Sequence, residues 1–327
     1  MATIYDVAKK AGVGVGTVSR VLNANVHVSP QTRERVLLAI EELDYQPHAV
    51  ARSLATRRTN SIGVLVPFFT RHFFIEVLRG IQDVAHRTDQ GIFLYNVQKH
   101  DQKETYLARI PVERRVDGLI VITLRIRDGH AAKFQKGKLP VILVDSYHPI
   151  LPSLVVDNAY GAKLATEHLL GLGHQKIAFL NGLMRYHASR ARKDGFEEAY
   201  SQSGLQPDPK LVVETEFDRS GGEQGMAFLW ERGARPTAIF AASDLQAIGA
   251  IEFLKTKGVR VPEDMAIVGY DDIEMAELLG LTTIRQPMYT MGAEAAERLL
   301  GGLEPPPTTE GPRVYRPELV IRESTGC

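Results

Sequence analysis

A short stretch near the start of the chain has residue types and spacing that could place a helix in a DNA groove. It spans residues 12–23, GVGVGTVSRVLN. The apolar residues before it recur at helical spacing, and Thr3 is placed to cap that helix. Gly12 predicts the helix end, because glycine adopts a positive φ without strain. A second short apolar-periodic segment follows. Two helices joined by a tight glycine-containing turn are typical of a helix-turn-helix, whose second helix enters the major groove.

The same glycines also resemble the start of a dinucleotide-binding loop. That fingerprint needs a strand before it and a helix after it. The residues before Gly12 are helical in pattern, and Thr17 stands where a further glycine would be needed. The nucleotide interpretation is therefore the weaker of the two.

A second set of candidate residues, acidic and aromatic, follows short apolar segments further along the chain. These residues are candidates for a small-molecule site, because ligands bind at the carboxyl ends of parallel strands. The set is Phe68, Phe69, Asp145, Phe217, Ser243, Asp244 and Asp271. Two alternatives stay open: Phe217 could belong to a core, and Asp244 could serve only as the cap of the helix that follows.

The helix-turn-helix needs a third helix to complete its core. Ser29 as N-cap with Pro30 at the first helical position predicts where that helix begins. Its predicted inner stripe is Val36, Leu37, Ile40 and Leu43. The pattern ends at Pro47, which gives a predicted head of residues 1–47.

A short basic segment, residues 48–59, follows the head. It is either a solvated linker or a segment that folds on meeting DNA, since so short a helix is marginal in water.

From residue 61 onward, short apolar strands alternate with helices. Continuous runs of Val, Ile and Leu predict parallel sheets that are covered on both faces. Two such series predict two doubly wound halves. The predicted strands are residues 61–67, 91–97, 118–123, 140–145 and 154–158 in the first series, and residues 176–182, 211–217, 238–243 and 265–272 in the second.

Composition narrows the class of protein. A hydrophobic content of 44% with 24% charged residues is typical of a soluble globular chain. The net charge is zero, but residues 1–58 hold eight Lys and Arg against five Asp and Glu, a modest basic asymmetry of the kind found in phosphate-binding heads. The only cysteine is Cys327, so no intrachain disulfide is expected. No signal-peptide core and no run of about 18 apolar residues is present, which predicts a cytoplasmic protein.

Long segments of the sequence also match a known family in order and spacing. They include TIYDVAKKAGVGVGTVSRVLN, VSPQTRERVLLAIEELDYQPHAVARSLATRRTNSIGVLVP, EHLLGLGHQKIAFLNG, SRARKDGF, SDLQAIGAIEFLKTKGVRVPEDMAIVGYDD and LTTIRQP. On these segments the chain resembles the lac repressor / purine repressor family of bacterial transcriptional regulators. The resemblance implies an all-α helix-turn-helix head, a hinge helix, and an α/β core of two doubly wound parallel-sheet lobes similar to periplasmic sugar-binding proteins.

The resemblance also implies three crossings between the lobes of the core, residues 60–327. The N-lobe is then expected at about residues 60–156 and 287–315, and the C-lobe at about residues 157–284 and 316–327.

Several positions of the head match the DNA-contacting positions of that family. Val15, Gly16 and Arg20 match residues that read bases. Arg20 suits this task, because its planar fork can bond the O6 and N7 atoms of a guanine. Tyr5, Thr17, Ser19 and Asn23 are expected near phosphates, although Thr17 and Ser19 could also be plain helix surface. Two positions depart from many relatives: Gly14 replaces the usual Ser or Thr cap, and Gly16 offers no side chain to a base.

The segment AVARSLATRR matches the family's minor-groove helix. Leu54 stands where an apolar wedge enters between central base pairs, with Val50 and Ala51 beside it. The alternative is that Leu54 packs against its own domain.

A small-molecule effector is expected between the lobes. Family positions map onto Phe68, Phe69, Phe73, Asp145, Arg192, Phe217, Ser243, Asp271 and Gln286. Arg and Asp side chains can bind vicinal hydroxyls, and an aromatic face can stack on a sugar ring. The resemblance favours a sugar and a dimeric repressor that binds a pseudo-palindromic operator. A corepressor-type regulator that responds to a purine or another metabolite is the alternative. The end of the chain, PELVIRESTGC, has no heptad repeat, so a tetramer zipper is not expected.

Two other classes of protein fit the sequence less well. The ten histidines are scattered and form neither a metal-binding cluster nor an HExxH motif, and no serine lies in a GxSxG elbow. The sequence therefore predicts no enzymatic activity, no bound metal and no cofactor. A sugar-binding transport protein would need an export signal and would lack a DNA-binding head.

Overall fold

The computed structural model describes residues 2–22, 27–45, 58–67, 71–302 and 311–326. The chain divides into two units, Met1–Ser61 with Arg114–Asp117 and Ile62–Glu113 with Gly118–Cys327. Predicted site residues Asn23, Val50, Ala51, Leu54, Phe68 and Phe69 lie outside the described residues.

The first unit contains three helices, α1 (Ile4–Ala11), α2 (Val15–Leu22) and α3 (Pro30–Glu42). Thr3 caps α1 in a capping box: its backbone N donates to Asp6 Oδ2 at 2.8 Å, and its hydroxyl accepts from the Asp6 backbone N. Gly12 ends α1 with a φ of 62°, and Ser29 caps α3 ahead of Pro30. These three predicted helix boundaries are confirmed.

The predicted inner stripe of α3 is wrong at one position. Leu37 is 52% exposed, whereas Ala39 is only 3% exposed and occupies the core beside Val36. Val7 and Val18 complete the centre of this small core. Ala39 stands three residues after Val36 and so lies on the same face of α3, whereas Leu37 lies on the exposed face.

The end of this unit is fixed by one carboxylate. Asp117 accepts hydrogen bonds from the backbone N of Thr59 at 2.8 Å, from the Thr59 hydroxyl at 3.0 Å and from the backbone N of Asn60 at 2.9 Å. The backbone N of Asp117 in turn donates to the Ser61 carbonyl. These bonds fix the backbone immediately before the first strand.

The second unit begins with an α/β part, here called the N-lobe, built on a six-stranded sheet. The strand order is β11-β5-β4-β3-β1-β2, and the pairs from β11 to β1 are parallel. The strands are β1 (Ser61–Val66), β2 (Gly91–Asn96), β3 (Gly118–Ile122), β4 (Val141–Val144), β5 (Ser153–Val156) and β11 (Arg313–Tyr315). The helices of this lobe are α4 (His72–Arg87), α5 (His100–Glu113), α6 (Asp128–Gly137) and α12 (Met288–Leu300).

The other part, the C-lobe, is built on a four-stranded parallel sheet in the order β7-β6-β8-β9. An antiparallel ribbon of β10 and β12 joins it. The strands are β6 (Ile177–Gly182), β7 (Val212–Thr215), β8 (Ala238–Ala241), β9 (Ala266–Val268), β10 (Thr283–Arg285) and β12 (Glu318–Val320). The helices are α7 (Asn158–Gly171), α8 (His187–Gln202), α9 (Arg219–Glu231), α10 (Asp244–Thr256) and α11 (Glu274–Leu278).

The chain crosses between these lobes three times: after Val156, after Arg285 and after Tyr315. The backbone N of Asp157 donates to the Tyr315 carbonyl at 2.9 Å, so the first and third crossings are bonded to each other. The exact lobe limits given above stay a prediction.

One strand departs from the expectation that both sheet faces are covered. In β2, the side chains of Ile92, Phe93 and Leu94 are exposed, although the strand is as apolar as its neighbours. The reason is its place at the sheet edge. No helix in the described part of the chain is both long and apolar enough to cross a membrane.

Candidate ligand cavity and DNA-binding helix

A cavity of about 120 Å³ opens at the carboxyl ends of strands from both lobes. From the N-lobe, Thr123 follows β3 and Asp145 follows β4. From the C-lobe, Phe217 follows β7 and Asp271 follows β9. The rest of the wall is formed by Pro67, Arg71, His72, Phe73, Phe74, Tyr186, His187, Ala188, Arg192, Leu245 and Ile273.

The backbone of the cavity wall is strained at three of these strand ends. Thr123, Asp145 and Asp271 have φ values of 57°, 50° and 120°, in a region that non-glycine residues rarely adopt. Such conformations carry roughly 1–3 kcal/mol each and are concentrated at functional sites. All three of these residues line the same cavity.

Arg192 is the central cation of the cavity. It projects from α8 and is only 5% exposed. Its Nε donates to Asn158 Oδ1 at 2.9 Å, and its Nη1 donates to the Ala242 carbonyl. The guanidinium carbon lies 3.7 Å from the ring centre of Tyr270 and 5.5 Å from that of Phe217. These contacts hold the guanidinium in one place before any ligand arrives.

Two carboxyls face this cation, one from each lobe. Burial raises the pKa of Asp145 to about 6, although Arg192 and a hydrogen bond with Asn158 act in the opposite direction. Burial likewise raises the pKa of Asp271 to about 6, against the influence of Arg192 and of Gln286. Gln286 Nε2 donates to Asp271 Oδ1 at 2.6 Å. Near neutral pH the cavity thus offers two carboxylate acceptors and one guanidinium donor.

Aromatic rings supply the apolar part of the wall. Phe73 comes from the N-lobe and stands edge-on to Phe74, with ring centres 5.3 Å apart. Phe217 comes from the C-lobe, 6.0 Å from the ring of Tyr186. Charged groups that accept and donate hydrogen bonds, combined with flat apolar faces, suit a small molecule with several hydroxyls and an apolar ring face.

The first unit presents a different kind of surface. On α2, Val18 and Val21 are buried, while Gly16 and Arg20 are exposed one helical turn apart. Gly14 accepts at its carbonyl from the backbone N of Thr17 at 2.8 Å, without a side-chain cap. A Cβ atom at Gly16 would meet no atom within 4 Å. The exposed face of α2 is therefore open, with Arg20 as its long polar side chain.

Comparison with known proteins decides the family. Residues 3–48 match the family model described as bacterial regulatory proteins, lacI family, and residues 166–325 match a periplasmic binding protein-like domain. The chain is 36% identical over 329 residues to catabolite control protein A of Priestia megaterium, covering 99% of both chains. It is 37% identical to the transcriptional repressor PurR of Haemophilus influenzae, covering 99% of this chain and 98% of that one. The chain belongs to the lacI family of bacterial regulatory proteins.

Solved structures of lacI-family proteins support the same conclusion. A lac repressor dimer bound to operator and an anti-inducer superimposes with a TM-score of 0.87 at 31% identity, over 99% of both chains. The cellobiose complex of the regulator CelR superimposes with a TM-score of 0.73 at 31% identity, covering 99% of this chain and 100% of that chain. The predicted fold class is confirmed, and this lacI-family chain is a DNA-binding transcriptional regulator.

The structure brings most of the predicted effector residues together. Phe73, Asp145, Arg192, Phe217 and Asp271 all line the one cavity. Gln286 lies behind Asp271, as its hydrogen-bond donor, and is not part of the wall. Their contacts with an effector stay a prediction.

Two neighbouring residues have different places from those expected. Ser243, predicted to contact the effector, caps α10 instead, and its hydroxyl accepts from the backbone N of Gln246 at 3.2 Å. Asp244 is therefore not the cap. It is fully buried and accepts from the Thr283 hydroxyl at 2.5 Å and from the backbone N of Ile273 at 2.9 Å. Burial raises its pKa to about 7. Asp244 thus joins α10 to the β9 and β10 ends.

The sequence did not predict ten residues of the cavity wall, among them Thr123, His72 and Tyr186. Thr123 ends a predicted strand, so the rule that selected Asp145 could also have selected it. His72 is the first residue of α4 and Tyr186 immediately precedes α8, and neither position has a distinctive pattern in the sequence. Burial lowers the pKa of His72, which favours its neutral form in the wall.

Among the predicted DNA-binding residues that the structure describes, Val15, Gly16, Thr17, Ser19 and Arg20 lie on α2, and Tyr5 lies on α1. Arg20 and Gly16 are exposed, Tyr5 is 72% exposed, and Val15, Thr17 and Ser19 are half-buried. All of them retain surface that could meet DNA. Their individual contacts stay a prediction.

Proposed function

We propose that this protein is a dimeric transcriptional repressor whose operator affinity is set by a small polyhydroxyl molecule, a sugar, bound between the lobes. The observation that carries the proposal is that the buried Arg192 faces two carboxyls that belong to different lobes, Asp145 of the N-lobe and Asp271 of the C-lobe. A ligand that bonds both carboxylates must contact both lobes. It therefore stabilises one lobe arrangement over another, which is the requirement for an effector.

Two similar proteins whose names or structures include a sugar support a sugar as the ligand. A relative with 34% identity, covering 99% of this chain, is a ribose operon repressor, and a lacI-family regulator with 31% identity was solved with bound ribose. Carboxylates accept from vicinal hydroxyls, the guanidinium donates to ring and hydroxyl oxygens, and Phe217 offers a face for stacking. A sugar uses all three features.

A purine or a related flat metabolite is the second candidate. Phe73 and Phe217 approach the cavity from opposite lobes, which suits a flat ring held between two aromatic faces. With such a ligand the protein would act as a corepressor-dependent regulator.

The proposed dimer fits the exposed apolar surface of the core. The edge strand β2 presents Ile92, Phe93 and Leu94, and Leu278 at the end of α11 is 73% exposed. Unpaired apolar edges are rarely left uncovered. Two copies would also match the two half-sites of a pseudo-palindromic operator. We place the protein in the cytoplasm, with the operator, and assign it no enzymatic activity, since its relatives are regulators.

Fluorescence anisotropy with labelled pseudo-palindromic DNA from the gene's own neighbourhood tests this proposal. The full chain is titrated at fixed salt, with and without a panel of sugars and purines. We expect one compound to change operator affinity, and Arg192→Gln to abolish its effect. Arg190→Gln is the matched control, because Arg190 lies on the same helix but is exposed. If operator binds and no compound alters its affinity, the proposed ligand control is wrong.

A further inference from the structure

A cluster of charges joins the two lobes at the edge of the cavity. Arg71 of the N-lobe immediately precedes α4 and belongs to the cavity wall. Its Nη2 lies 3.8 Å from Glu216 Oε2 and 3.9 Å from Asp218 Oδ2. Both carboxylates belong to the C-lobe, in the segment between β7 and α9. The cluster therefore connects elements whose separation changes when the lobes move.

The C-lobe side of this cluster is built by a tight turn around Phe217. The backbone N of Asp218 donates to the Glu216 carbonyl at 2.8 Å. Asp218 also caps α9, accepting at Oδ1 from the backbone N of Gly221 at 2.8 Å. Its other oxygen, Oδ2, is the one near Arg71. The two carboxylates thus flank the aromatic ring that lines the cavity.

A second arginine holds Glu216 from within its own lobe. Arg185 Nη2 donates to Glu216 Oε1 at 3.1 Å, and the same nitrogen donates to the Tyr186 hydroxyl at 3.0 Å. Arg185 therefore contributes to the local arrangement of the C-lobe without reaching the N-lobe. The two arginines share a carboxylate but differ in the lobe that carries them.

We propose that Arg71 is a positioning residue that holds the lobes together across the cavity, through its ion pairs with Glu216 and Asp218. The pairs form when the lobes close and break when they open. The role of the cleft in binding an effector rests on the proposed function, but the lobe spacing itself exists without any effector and can be measured in its absence.

The strength of this cluster suits a reversible contact. The side chain of Arg71 is 24% exposed and those of Glu216 and Asp218 are 41% exposed. Ion pairs at this level of exposure change an equilibrium by about two- to fivefold. Added salt screens them, since the Debye length falls to about 3 Å at 1 M. The closed arrangement is thus favoured without being locked.

Spin-label distance measurements on the effector-free full chain test the proposal. One label is placed in each lobe through Lys136→Cys on α6 and Glu231→Cys on α9, both exposed, with Cys327→Ser as background. Labelled chains are diluted with unlabelled chains, so that any dimer carries a single labelled pair. The variants are Arg71→Gln, the charge-retaining Arg71→Lys, and Arg185→Gln as the matched control.

We expect Arg71→Gln to lower the ratio of closed to open lobe spacings by about two- to fivefold. Arg71→Lys should keep most of the closed population, and Arg185→Gln should leave the ratio unchanged. In 1 M NaCl, the unsubstituted protein should approach the Arg71→Gln distribution. Identical distributions for Arg71→Gln and the unsubstituted protein would overturn the proposal, and so would an equal shift in Arg185→Gln. Neither result depends on the effector screen, so the two proposals fail separately.

Discussion

The charged groups of the cavity set one another's proton affinity. Asp145 and Asp271 lie where burial raises their pKa, while the guanidinium of Arg192 lowers it. Because the pKa of each carboxyl is about 6, ionising either of them costs free energy when no ligand donates to it. A ligand whose hydroxyls donate to them removes part of that cost.

Replacing one carboxyl tests this at the level of a single residue. With a folded-state pKa of about 6 against an ordinary value of 3.8, Asp271 binds its proton more tightly in the folded state. Ionised Asp271 therefore destabilises the fold above pH 6, and the penalty shrinks as the pH falls toward 4. Asp271→Asn should raise the free energy of unfolding at pH 7.5 by about 1–3 kcal/mol, with a smaller gain at pH 5. Thermal unfolding at both pH values measures this.

Asp194→Asn is the control for that experiment, because Asp194 is exposed on α8. It should change the melting temperature equally little at both pH values. An Asp271→Asn variant that is less stable at pH 7.5 than the unsubstituted protein would contradict the electrostatic argument.

Arg20 is the residue of the head on which base discrimination should depend most. Gly16 offers no side chain, so fewer direct contacts remain on the exposed face of α2. Arg20→Ala should weaken operator binding by about 1–3 kcal/mol and relax preference at one base pair per half-site. Anisotropy with single-base operator variants measures both effects. Arg35→Ala, on the exposed face of α3, is the comparison variant and should retain the preference; an unchanged preference in Arg20→Ala would rule out base reading by this residue.

At the same scale, the sequence predicts residue types better than their exact places. Ser and Asp are both residue types that commonly cap helices, and only the structure shows that Ser243 caps α10 while Asp244 is buried against Thr283. Leu37 is the larger apolar residue, yet it is exposed, and Ala39 occupies the core because it stands three residues after Val36 on the same helix face. The places of Ser243 and Asp244 depend on where the backbone of α10 begins, which residue type alone does not specify.

At the scale of elements, helices α4 and α12 meet backbone to backbone. A Cβ atom on Gly80 would lie 2.1 Å from the Tyr289 carbonyl oxygen, and one on Gly292 would lie 2.0 Å from the Val77 carbonyl oxygen. The contact is reciprocal, so each glycine accommodates the other helix. This close approach joins two helices that lie more than 200 residues apart in the sequence, which brings the late helix α12 into the core of the early lobe.

Gly80→Ala should therefore destabilise the N-lobe by about 1–3 kcal/mol, because the backbone cannot move aside without separating the helices. Thermal unfolding of the full chain measures the loss. Gly129→Ala is the matched control, since Gly129 is also helical but a Cβ there meets nothing within 4 Å. It should be neutral or slightly stabilising. Equal melting temperatures for Gly80→Ala and the unsubstituted protein would show that this contact adapts.

The order of most strands and helices was predictable from the pattern of apolar and turn residues in the sequence. Apolar runs bounded by turn residues placed β1 to β9 but not β10, β11 or β12, and strand ends pointed to Asp145, Phe217 and Asp271. The exposure of β2 was not predictable, because its sequence is as apolar as that of a central strand. The wall residues His72 and Tyr186 were missed because they lie at the starts of α4 and α8, which only the folded chain brings together.

At the scale of the whole molecule, control by an effector must act in both directions. If the effector changes operator affinity by some factor, the operator must change effector affinity by the same factor, typically about 5- to 150-fold. Calorimetric titration of the effector into the protein, with and without saturating operator duplex, should therefore give two dissociation constants in that ratio. Equal constants would contradict allosteric control even if the effector binds tightly.

The three crossings have a consequence for how the chain is made. The N-lobe begins with β1 at Ser61, but its helix α12 ends at Leu300 and its edge strand β11 ends at Tyr315. Nearly the entire polypeptide is therefore translated before the N-lobe has α12 and β11. Until then, part of the apolar face of its sheet stays exposed. A premature stop codon late in the message would accordingly damage the part of the core that was translated first.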